Sequence, residues 1–334
     1  MLTIIAAVII FGVLIFVHEL GHFTTAKIFG VKVHEFSIGM GPAIFKRKKG
    51  ETDYSLRLLP IGGFVRLEGE DFASDDERAF NKCHPIKRII ILVSGAFMNV
   101  LTGFLLFVLI FSLASDFATT TVDKVYENTP AAEAGMLAGD RIVSINGKRV
   151  NIYSDISFTL FEDEGKDADV EVIRDGERIT LHMTPVKDGG RSIIGVYPMI
   201  EKLSFGLVLR NAYYNTFFVV RVVGVSLKML ITGQVGISEM SGPVGIVGEI
   251  GKSVRSGILD ILNFAALIAV NLGVMNMLPL PALDGGRVMF TLAELMTGKP
   301  VNPKIEGYVH AIGLAILMIL MVVITYSDIM KLLT

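Results

Sequence analysis

His18-Glu19-Leu20-Gly21-His22 stands near the end of an apolar run that begins at Leu2. In a helix, residues i and i+4 lie one above the other, so the two histidines share one face with the glutamate beside them. This is the H-E-x-x-H pattern, in which both histidines bind zinc and the glutamate acts as general base. A pattern that activates water therefore lies in a segment that should exclude water, and this position restricts the function as much as the pattern does.

The composition indicates a membrane protein. The chain has 334 residues, of which 51% are hydrophobic, and a net charge of −2. Its mean hydropathy of +0.58 is too high for an ordinary soluble protein. A charge near zero gives no field that favours nucleic acid, so no nucleic-acid partner is expected. Cys83 is the single cysteine, which excludes an internal disulfide and a cysteine-rich metal site, so any zinc needs histidine and carboxylate ligands.

Four segments reach the roughly 20 apolar residues that a membrane span requires. They run over about 2–26, 89–115, 258–278 and 309–326. The first lacks the basic start and the small-residue cleavage site of a signal peptide, so we expect a retained transmembrane helix. Lys and Arg are frequent between the first two segments. The positive-inside rule therefore places that region in the cytoplasm and the N-terminus outside.

The predicted fold class is a polytopic α-helical membrane protein with four transmembrane helices, a cytoplasmic-side β-hairpin or sheet, and an extracytoplasmic β-rich domain. The predicted segments, in chain order, are a first span at 1–30, a membrane-associated β region at 31–85, a second span at 86–116, the β-rich domain at 117–190, a linker at 191–256, a third span at 257–286, a cytoplasmic loop at 287–306, and a fourth span with the C-terminus at 307–334.

A fifth apolar stretch at 203–231 allows two interpretations. Arg210, Arg221 and Lys228 fall within about 20° of one another on a helical wheel, and Tyr214 lies close to the same line. One cationic stripe on an apolar helix favours an element in the plane of the membrane interface. The alternative is a true span that lines a polar cavity.

Residues 121–186 resemble a PDZ domain. The resemblance rests on the run Gly-Asp-Arg-Ile-Val-Ser-Ile-Asn-Gly at 139–147, in which Asn-Gly is a strong hairpin-turn signal. PDZ domains bind extended peptides by adding a strand to a sheet edge, so the resemblance implies a peptide or substrate tail as a partner.

The cytoplasmic segment has strand signals of its own, because residues 31–38 alternate between apolar and polar, and residues 43–46 and 54–58 flank a polar turn.

A third zinc ligand is predicted at Asp284. The third apolar segment ends in Asn276-Met-Leu-Pro279-Leu-Pro281-Ala-Leu-Asp284. An aspartate at the edge of a span is costly unless it is paired or binds a metal. The two prolines break the helix, which is tolerated at membrane depth only where backbone is buried in protein or lines a cavity. The topology puts Asp284 near the cytoplasmic face, as it does the two histidines.

Other polar residues of the spans have competing explanations. The two histidines could instead hydrogen-bond across a helix bundle, although three ionisable residues in one turn make this costly at about 2.5–3.5 kcal/mol per acidic or basic residue. Asn271 and Asn276 are candidate substrate-binding residues, with interhelical packing as the alternative, and a packing role is expected for Asn99. The remaining histidines are interpreted as surface or interface residues: His34, His84, His182 and His310.

The chain resembles the site-2 protease family of intramembrane zinc metalloproteases. The resemblance rests on His-Glu-Leu-Gly-His at 18–22, on Asn-x-x-Pro-x-Pro-x-Leu-Asp-Gly at 276–285 and on a PDZ insertion between the second and third helices. Together these features match the bacterial branch that includes the regulator-of-sigma-E protease. The enterobacterial members of that branch carry two PDZ domains, whereas this chain shows one.

The resemblance implies regulated intramembrane proteolysis in a bacterial cytoplasmic (inner) membrane. The implied substrate is a single-span membrane protein in the lipid bilayer, such as an anti-sigma factor or a remnant signal peptide, after a first cut outside. His18, His22 and Asp284 would bind Zn²⁺, and Glu19 would be catalytic. Substrate-binding positions would include Pro279 and Pro281, and a hairpin with Gly62 and Gly63 would help present the substrate.

The expected chemistry is hydrolysis of a peptide bond. Zinc lowers the pKa of water towards about 7 and polarises the carbonyl, while Glu19 accepts the proton and returns it to the leaving amine. A free sheet edge could hold the unwound substrate by strand addition, and Asn276 could hydrogen-bond to it.

Two alternative functions remain for the protein as a whole. One is a PDZ scaffold with a structural metal site. The other is a metal transporter, which would need further acidic or histidine residues along a path through the bundle.

Overall fold

A computed structural model describes residues 1–70, 74–114, 116–163, 165–189, 191–202, 204–236 and 239–333. The predicted segment limits at 115, 190, 203 and 334 lie outside these residues. The chain forms two compact units. The first comprises Met1–Leu106 and Ser226–Thr334, and the second comprises Phe107–Val225.

The helices, in chain order, are α1 (Leu2–Ile28), α2 (Pro85–Leu113), α3 (Pro130–Glu133), α4 (Tyr153–Glu162), α5 (Phe205–Ile231), α6 (Pro243–Ser256), α7 (Ile258–Asn276), α8 (Asp284–Thr297) and α9 (Pro303–Leu333). The strands are β1 (Val33–Lys49), β2 (Thr52–Leu67), β3 (Asp116–Val125), β4 (Arg141–Ile145), β5 (Lys148–Arg149), β6 (Ala168–Arg174), β7 (Glu177–Met183), β8 (Val186–Asp188), β9 (Arg191–Ile193) and β10 (Val196–Lys202). A short 3-10 helix covers Phe80–Lys82.

Among the described residues, five helices are long and apolar enough to cross a membrane, namely α1, α2, α5, α7 and α9. These helices and the β-sheet regions fit a polytopic membrane protein. The predicted count of four spans is not confirmed, because α5 also meets the criterion of length and hydropathy.

The first unit packs its helices closely through small residues. A Cβ added at Gly21 of α1 would lie 2.5 Å from the Ser94 carbonyl oxygen of α2, and one added at Gly103 would lie 2.4 Å from Val270 of α7. Small residues of this kind let helix backbones approach each other in membranes, where packing drives association. The helix α6 completes the unit, because its fully buried Ile250 packs with Leu14 of α1 and Ala269 of α7.

The cytoplasmic β region predicted at 31–85 contains β1 and β2, whose pairing is not that of a simple hairpin. Residues 43–49 pair with 52–57 around the turn, while 35–38 pair both with 63–66 and with 53–56. The chain therefore folds back so that 35–38 lie inside the sheet. Gly39, with φ of +85°, permits this fold-back, because a Cβ there would lie 2.5 Å from the Leu59 carbonyl oxygen.

A buried carboxylate ties this sheet together. Glu35 is 3% exposed and accepts hydrogen bonds from Ser55 (2.7 Å) and Arg57 (2.6 Å). Burial raises the pKa of Glu35, but these hydrogen bonds and the guanidinium charge outweigh it and hold the pKa below its usual value. The Arg57 guanidinium also lies 5.0 Å from the Phe64 ring centroid. Arg57 therefore connects the buried Glu35 to the strand segment that follows Gly63.

The range 287–306, predicted as a loop, is largely helical. The helix α8 continues to Thr297 and ends at Gly298, whose φ of 67° is left-handed. Its buried residues Val288 and Thr291 recur at helical spacing. Its 14 residues are too few to span a bilayer, so the length expected of a membrane span does not identify this helix. The predicted linker 191–256, in which a helix is expected at 203–231, contains α5 there and in addition β9, β10 and α6.

The second unit is built on a sheet of strand order β10-β3-β4-β6-β7, with β5 paired to β4. Its core contains fully buried Ile142, Ile145 and Val172 together with Leu160 of α4. The sheet extends beyond the predicted limit at 190, because β10 pairs with β3 from Val196 to Lys202. The sequence of β10 contains a proline and alternates weakly, which is why the pattern alone assigns it to a linker.

Asp140 of the Gly-Asp run stabilises the turn before β4. Its side chain is fully buried and receives two hydrogen bonds of 2.7 Å from Arg174, and it also accepts the Leu137 N–H at 2.9 Å. Burial raises the pKa of Asp140, but the hydrogen bonds from Arg174 and Leu137 outweigh it, so the pKa lies below its usual value.

The second unit should therefore lose stability in acid through Asp140. A carboxyl whose pKa is lower in the folded state contributes stability above its unfolded pKa, which is about 3.9, and this contribution disappears as the pH falls through the folded value. Hydrogen exchange of the β4 and β6 amides, corrected for intrinsic rates between pH 3 and pH 7, measures it. Asp140→Asn should exchange faster at pH 7 and lose most of the pH dependence. An unchanged pH dependence in Asp140→Asn would contradict this role.

Candidate metal centre

Three predicted ligands converge in the first unit. The Nε2 atoms of His18 and His22 lie 3.1 Å from each other, and they lie 3.1 Å and 3.5 Å from Oδ2 of Asp284. One ligand atom from each residue lies within 4.8 Å of the others. The two histidines are 8% and 9% exposed, so this cluster is buried among the helices.

The histidines come together because α1 is helical through residues 18–22, whereas Asp284 reaches them through a tight turn. The helix α7 ends at Asn276 and α8 begins at Asp284. Between them Ala282 has a φ of +74°, a conformation that non-glycine residues seldom adopt. A Cβ at Gly285 or Gly286 would lie 2.2 Å or 2.4 Å from a carbonyl oxygen of this turn. The two glycines therefore let the turn fold onto the first turn of α8.

The donor set fits zinc. Oδ2 of Asp284 is buried and has no hydrogen-bond partner among the described residues, yet it points at two imidazole nitrogens that also face each other. Two nitrogens and a carboxylate oxygen without a shared proton donor are suited to a cation, and two histidines with one carboxylate are a zinc donor set. His22 supports this role, because its Nδ1 lies 2.8 Å from the Ile91 carbonyl oxygen, which leaves Nε2 available as a ligand.

Glu19 lines the same cavity, which has a volume of about 470 Å³. The Val65 backbone N–H faces the Glu19 carboxylate, and a Cβ added at Gly63 would lie 3.3 Å from the Glu19 Cγ. The cavity lining is shared by the metal cluster, α2, α8 and residues 64–67 of β2. The Glu19 carboxylate, the metal cluster and the strand segment 64–67 therefore border the same cavity.

The predicted substrate-binding residues differ in their positions. Nδ2 of Asn276 lies 3.4 Å from Nδ1 of His18, next to the centre. Pro279 and Pro281 lie in the turn between α7 and α8. Asn271 is exposed on α7 and is not among the residues that line the cavity. The offset from Asn276 is five residues, or about 140° around a helix, so the two amides cannot share a face.

Gly62 and Gly63 lie in β2, just before the segment that lines the cavity. Gly62 has a φ of +84°, and a Cβ there would meet the Met40 side chain at 2.7 Å. His310, outside the constellation, accepts a 2.8 Å hydrogen bond from the Ala282 N–H and so supports the turn that carries Asp284.

Two residues of α2 also belong to the centre. Asn99, which the sequence suggests is a packing residue, is 1% exposed, and its Nδ2 lies 3.3 Å from Nδ1 of His18. A Cβ added at Gly95 would lie 2.4 Å from Nε2 of His22 and 2.8 Å from Cε1 of His18. The signal for both is their spacing, because a glycine and an amide four residues apart on an apolar helix mark a close interhelical contact.

Comparison with known proteins identifies a family and relatives that are named metalloproteases. The sequence profile of Peptidase family M50 matches residues 6–320. A protein of Clostridium acetobutylicum, which carries the name of a predicted zinc metalloprotease, is 40% identical over 333 residues and covers 98% of this chain and 97% of its own. The zinc metalloprotease RasP of Geobacillus kaustophilus is 34% identical over an alignment of 413 positions, gaps included, with 98% of each chain covered. The regulator of sigma-W protease RasP of Bacillus subtilis is 32% identical over an alignment of 418 positions, gaps included, with 99% of each chain covered.

These matches extend over nearly the whole chain and include residues 18–22 and 276–285, where the geometry favours zinc. The zinc cofactor and the hydrolytic activity expected from the sequence are thereby confirmed. The chain belongs to Peptidase family M50, the site-2 protease family, and is a zinc metalloprotease of the membrane.

Proposed function

We propose that the enzyme cuts a peptide bond within the transmembrane segment of a single-span membrane protein, with His18, His22 and Asp284 as zinc ligands. The observation that carries this proposal is the convergence of the three donor atoms within 4.8 Å, because two of them belong to the apolar helix α1. When bound there, zinc supplies a Lewis acid that lowers the pKa of a water and polarises a carbonyl.

Glu19 is the proposed general base. It accepts a proton from the attacking water and delivers it to the leaving amine, and a positioned side chain of this kind contributes about 10²- to 10⁴-fold to the rate. The Val65 N–H orients its carboxylate from the sheet side. Glu19 lines the cavity that β2 and α8 border, and this cavity gives water a route to its carboxylate.

The substrate segment is proposed to bind along residues 64–67 of β2. Segment 63–66 pairs with 35–38 on one side, and its residues line the metal cavity. A helical substrate hides its carbonyls in hydrogen bonds, so local unwinding must precede the attack, and strand addition to a sheet edge would hold the extended form. Asn276, beside His18, is placed to bind the same segment through its amide.

The tip of the sheet is proposed to lie at the membrane surface. Ile44, Phe45, Leu58 and Leu59 are each more than half exposed there. Exposed apolar side chains on both faces of one end of a sheet favour contact with the membrane. The last residues of β1 carry the basic run 46–49, which would contact anionic lipid head groups on the cytoplasmic side.

For topology we propose four spans in a bacterial cytoplasmic membrane, with α5 as an interfacial helix and the second unit outside. Within the second unit, Arg221 of α5 forms an ion pair with Glu162, donates a hydrogen bond of 3.0 Å to Thr159 and lies 5.2 Å from the Phe158 ring centroid. A helix whose middle residues bind the polar face of α4 does not cross hydrocarbon at that point. The second unit is proposed to act as a PDZ domain that binds a peptide or substrate tail.

The proposed substrate class is an anti-sigma factor or a remnant signal peptide that another protease has already trimmed. The support is the Bacillus subtilis relative, which is named regulator of sigma-W protease. The test is co-reconstitution of enzyme and a trimmed single-span substrate in liposomes with zinc, followed by mass spectrometry of the products. We expect a cut within the apolar span. Cleavage confined to segments outside the bilayer would contradict the proposal.

The substrate path makes a separate prediction for crosslinking. In an inactive Glu19→Gln background with Cys83→Ser, single cysteines at Asn276 and at positions 62–65 should crosslink to a cysteine in the substrate span. A cysteine at Asn271 is the matched control, because that residue is exposed on the same helix away from the cavity. If neither position crosslinks, or if Asn271 crosslinks equally well, the proposed path is wrong.

A further inference from the structure

We propose that Asn99 is the residue that positions His18 for zinc, by accepting the proton of its Nδ1 on the amide oxygen. The inference rests on the proposed ligand set and adds a positioning residue to it. It begins from a difference between the two histidines. The Nδ1 of His22 faces a backbone carbonyl oxygen at 2.8 Å, whereas the Nδ1 of His18 faces two side-chain amides, at 3.3 Å and 3.4 Å.

Metal binding determines which ring nitrogen of each histidine carries the hydrogen. A histidine that binds through Nε2 carries its hydrogen on Nδ1, which must then donate to an acceptor. For His22 the Ile91 carbonyl is that acceptor. Around His18 both amides turn their Nδ2 atoms towards Nδ1, and an amide nitrogen is a donor only. A half-turn of one amide brings an oxygen into the place that the metal-binding tautomer requires.

Asn99 is the amide that the contacts favour. Its Oδ1 is buried and has no hydrogen-bond partner among the described residues. A half-turn of the Asn99 amide therefore breaks no hydrogen bond that Oδ1 accepts. Its side chain is 1% exposed, and a buried amide has no water to bind instead. Asn276 is half-buried at the last residue of α7, just before the broken turn.

One hydrogen on Nδ1 serves one acceptor. If Asn99 accepts it, the Asn276 amide is free for another partner, which agrees with the substrate-binding role proposed above. The two asparagines that flank His18 would thus have different tasks, and the substitutions separate them. Loss of Asn99 should weaken zinc binding, whereas loss of Asn276 should mainly weaken substrate binding.

The test measures zinc affinity of the full-length protein in detergent by competition with a chromophoric chelator. Asn99→Leu keeps the number and branching of the side-chain heavy atoms and removes the acceptor, and removal of such partners of metal ligands lowers metal affinity by about 10- to 100-fold. Asn99→Asp keeps an oxygen at this position and should stay within about threefold of the wild type, since carboxylates serve this role in zinc sites. Asn276→Leu is the matched control and should keep its zinc affinity while raising KM.

The Co²⁺-substituted protein gives a second readout. Its visible spectrum should change in Asn99→Leu and be restored in Asn99→Asp. Wild-type zinc affinity in Asn99→Leu, or an equal loss in Asn99→Leu and Asn99→Asp, would overturn the inference. If Asn99→Leu does not fold, the comparison of Asn99→Asp with Asn99→Ala decides it by the same criteria. His18→Ala separates the two proposals, because wild-type zinc affinity in that variant would refute the ligand set itself.

Discussion

Glu19→Gln is expected to lower the rate of substrate cleavage by about 10²- to 10⁴-fold, the range that a positioned general base supplies. Glutamine keeps the size of the side chain and its contact with the strand segment at Val65, but it cannot accept the proton of the attacking water. The zinc content should stay at the wild-type value, because Glu19 is not one of the three converging donors. Single-turnover cleavage in liposomes and metal analysis of the same preparation measure both quantities.

Glu249→Gln is the matched control for this substitution. Glu249 is exposed on α6 and forms an ion pair with Lys252 at 2.7 Å, so its replacement should leave cleavage and zinc unchanged. If Glu19→Gln cleaves at more than about a tenth of the wild-type rate, the assigned general base is wrong. If it loses its zinc, the assignment of three ligands without Glu19 is wrong.

Gly95→Ala should remove most of the zinc affinity. The added methyl group would lie 2.4 Å from Nε2 of His22 and 2.8 Å from Cε1 of His18, distances at which one of the groups must move. Both rings are ligands in the proposed site, and a metal site tolerates displacements of only about 0.2 Å from its ideal distances. We expect a loss of at least about 100-fold in zinc affinity, the upper end for disturbed partners of metal ligands, measured by chelator competition.

Gly12→Ala on α1 is the control for Gly95→Ala. A Cβ at Gly12 meets no atom within 4 Å, and alanine is favoured over glycine in a helix by about 1 kcal/mol, so this variant should bind zinc as the wild type does. Near-wild-type zinc affinity in Gly95→Ala would mean that the two rings are not held against α2 as the structure shows.

The sequence carries enough information to place the main chemical groups. The spacing of His18 and His22 requires only that the segment be helical, and the cost of a carboxylate beside a broken span singles out Asp284 without reference to any contact. The structure brings these three side chains together. The membrane class follows equally directly from the long apolar segments, which α1, α2, α7 and α9 contain.

Other features depend on contacts between distant segments. The place of Asn99 is set by the crossing of α1 and α2 at Gly21 and Gly95, and periodicity within one helix does not encode such a crossing. The pairing of β10 with β3 likewise joins strands on either side of the whole domain. Asn271 is a different case, because its angular offset from Asn276 on α7 was available from the sequence and argues against a shared face.

The charges of α5 show the same limit. On a helical wheel, Arg221 belongs to a stripe that suits either an interface or a polar cavity. The ion pair with Glu162, the hydrogen bond to Thr159 and the ring contact with Phe158 reveal that α4 faces this part of the helix. A residue pattern therefore limited the choice to two topologies, and tertiary contacts favour one.

The central claim is that His18, His22 and Asp284 hold the catalytic zinc. The zinc K-edge X-ray absorption spectrum of the purified protein tests it most directly, compared between the wild type and Asp284→Ala. We predict one zinc per chain with two imidazole ligands and otherwise oxygen ligands in the wild type, and a large loss of bound zinc in Asp284→Ala. Full zinc occupancy with an unchanged spectrum in Asp284→Ala would contradict the account.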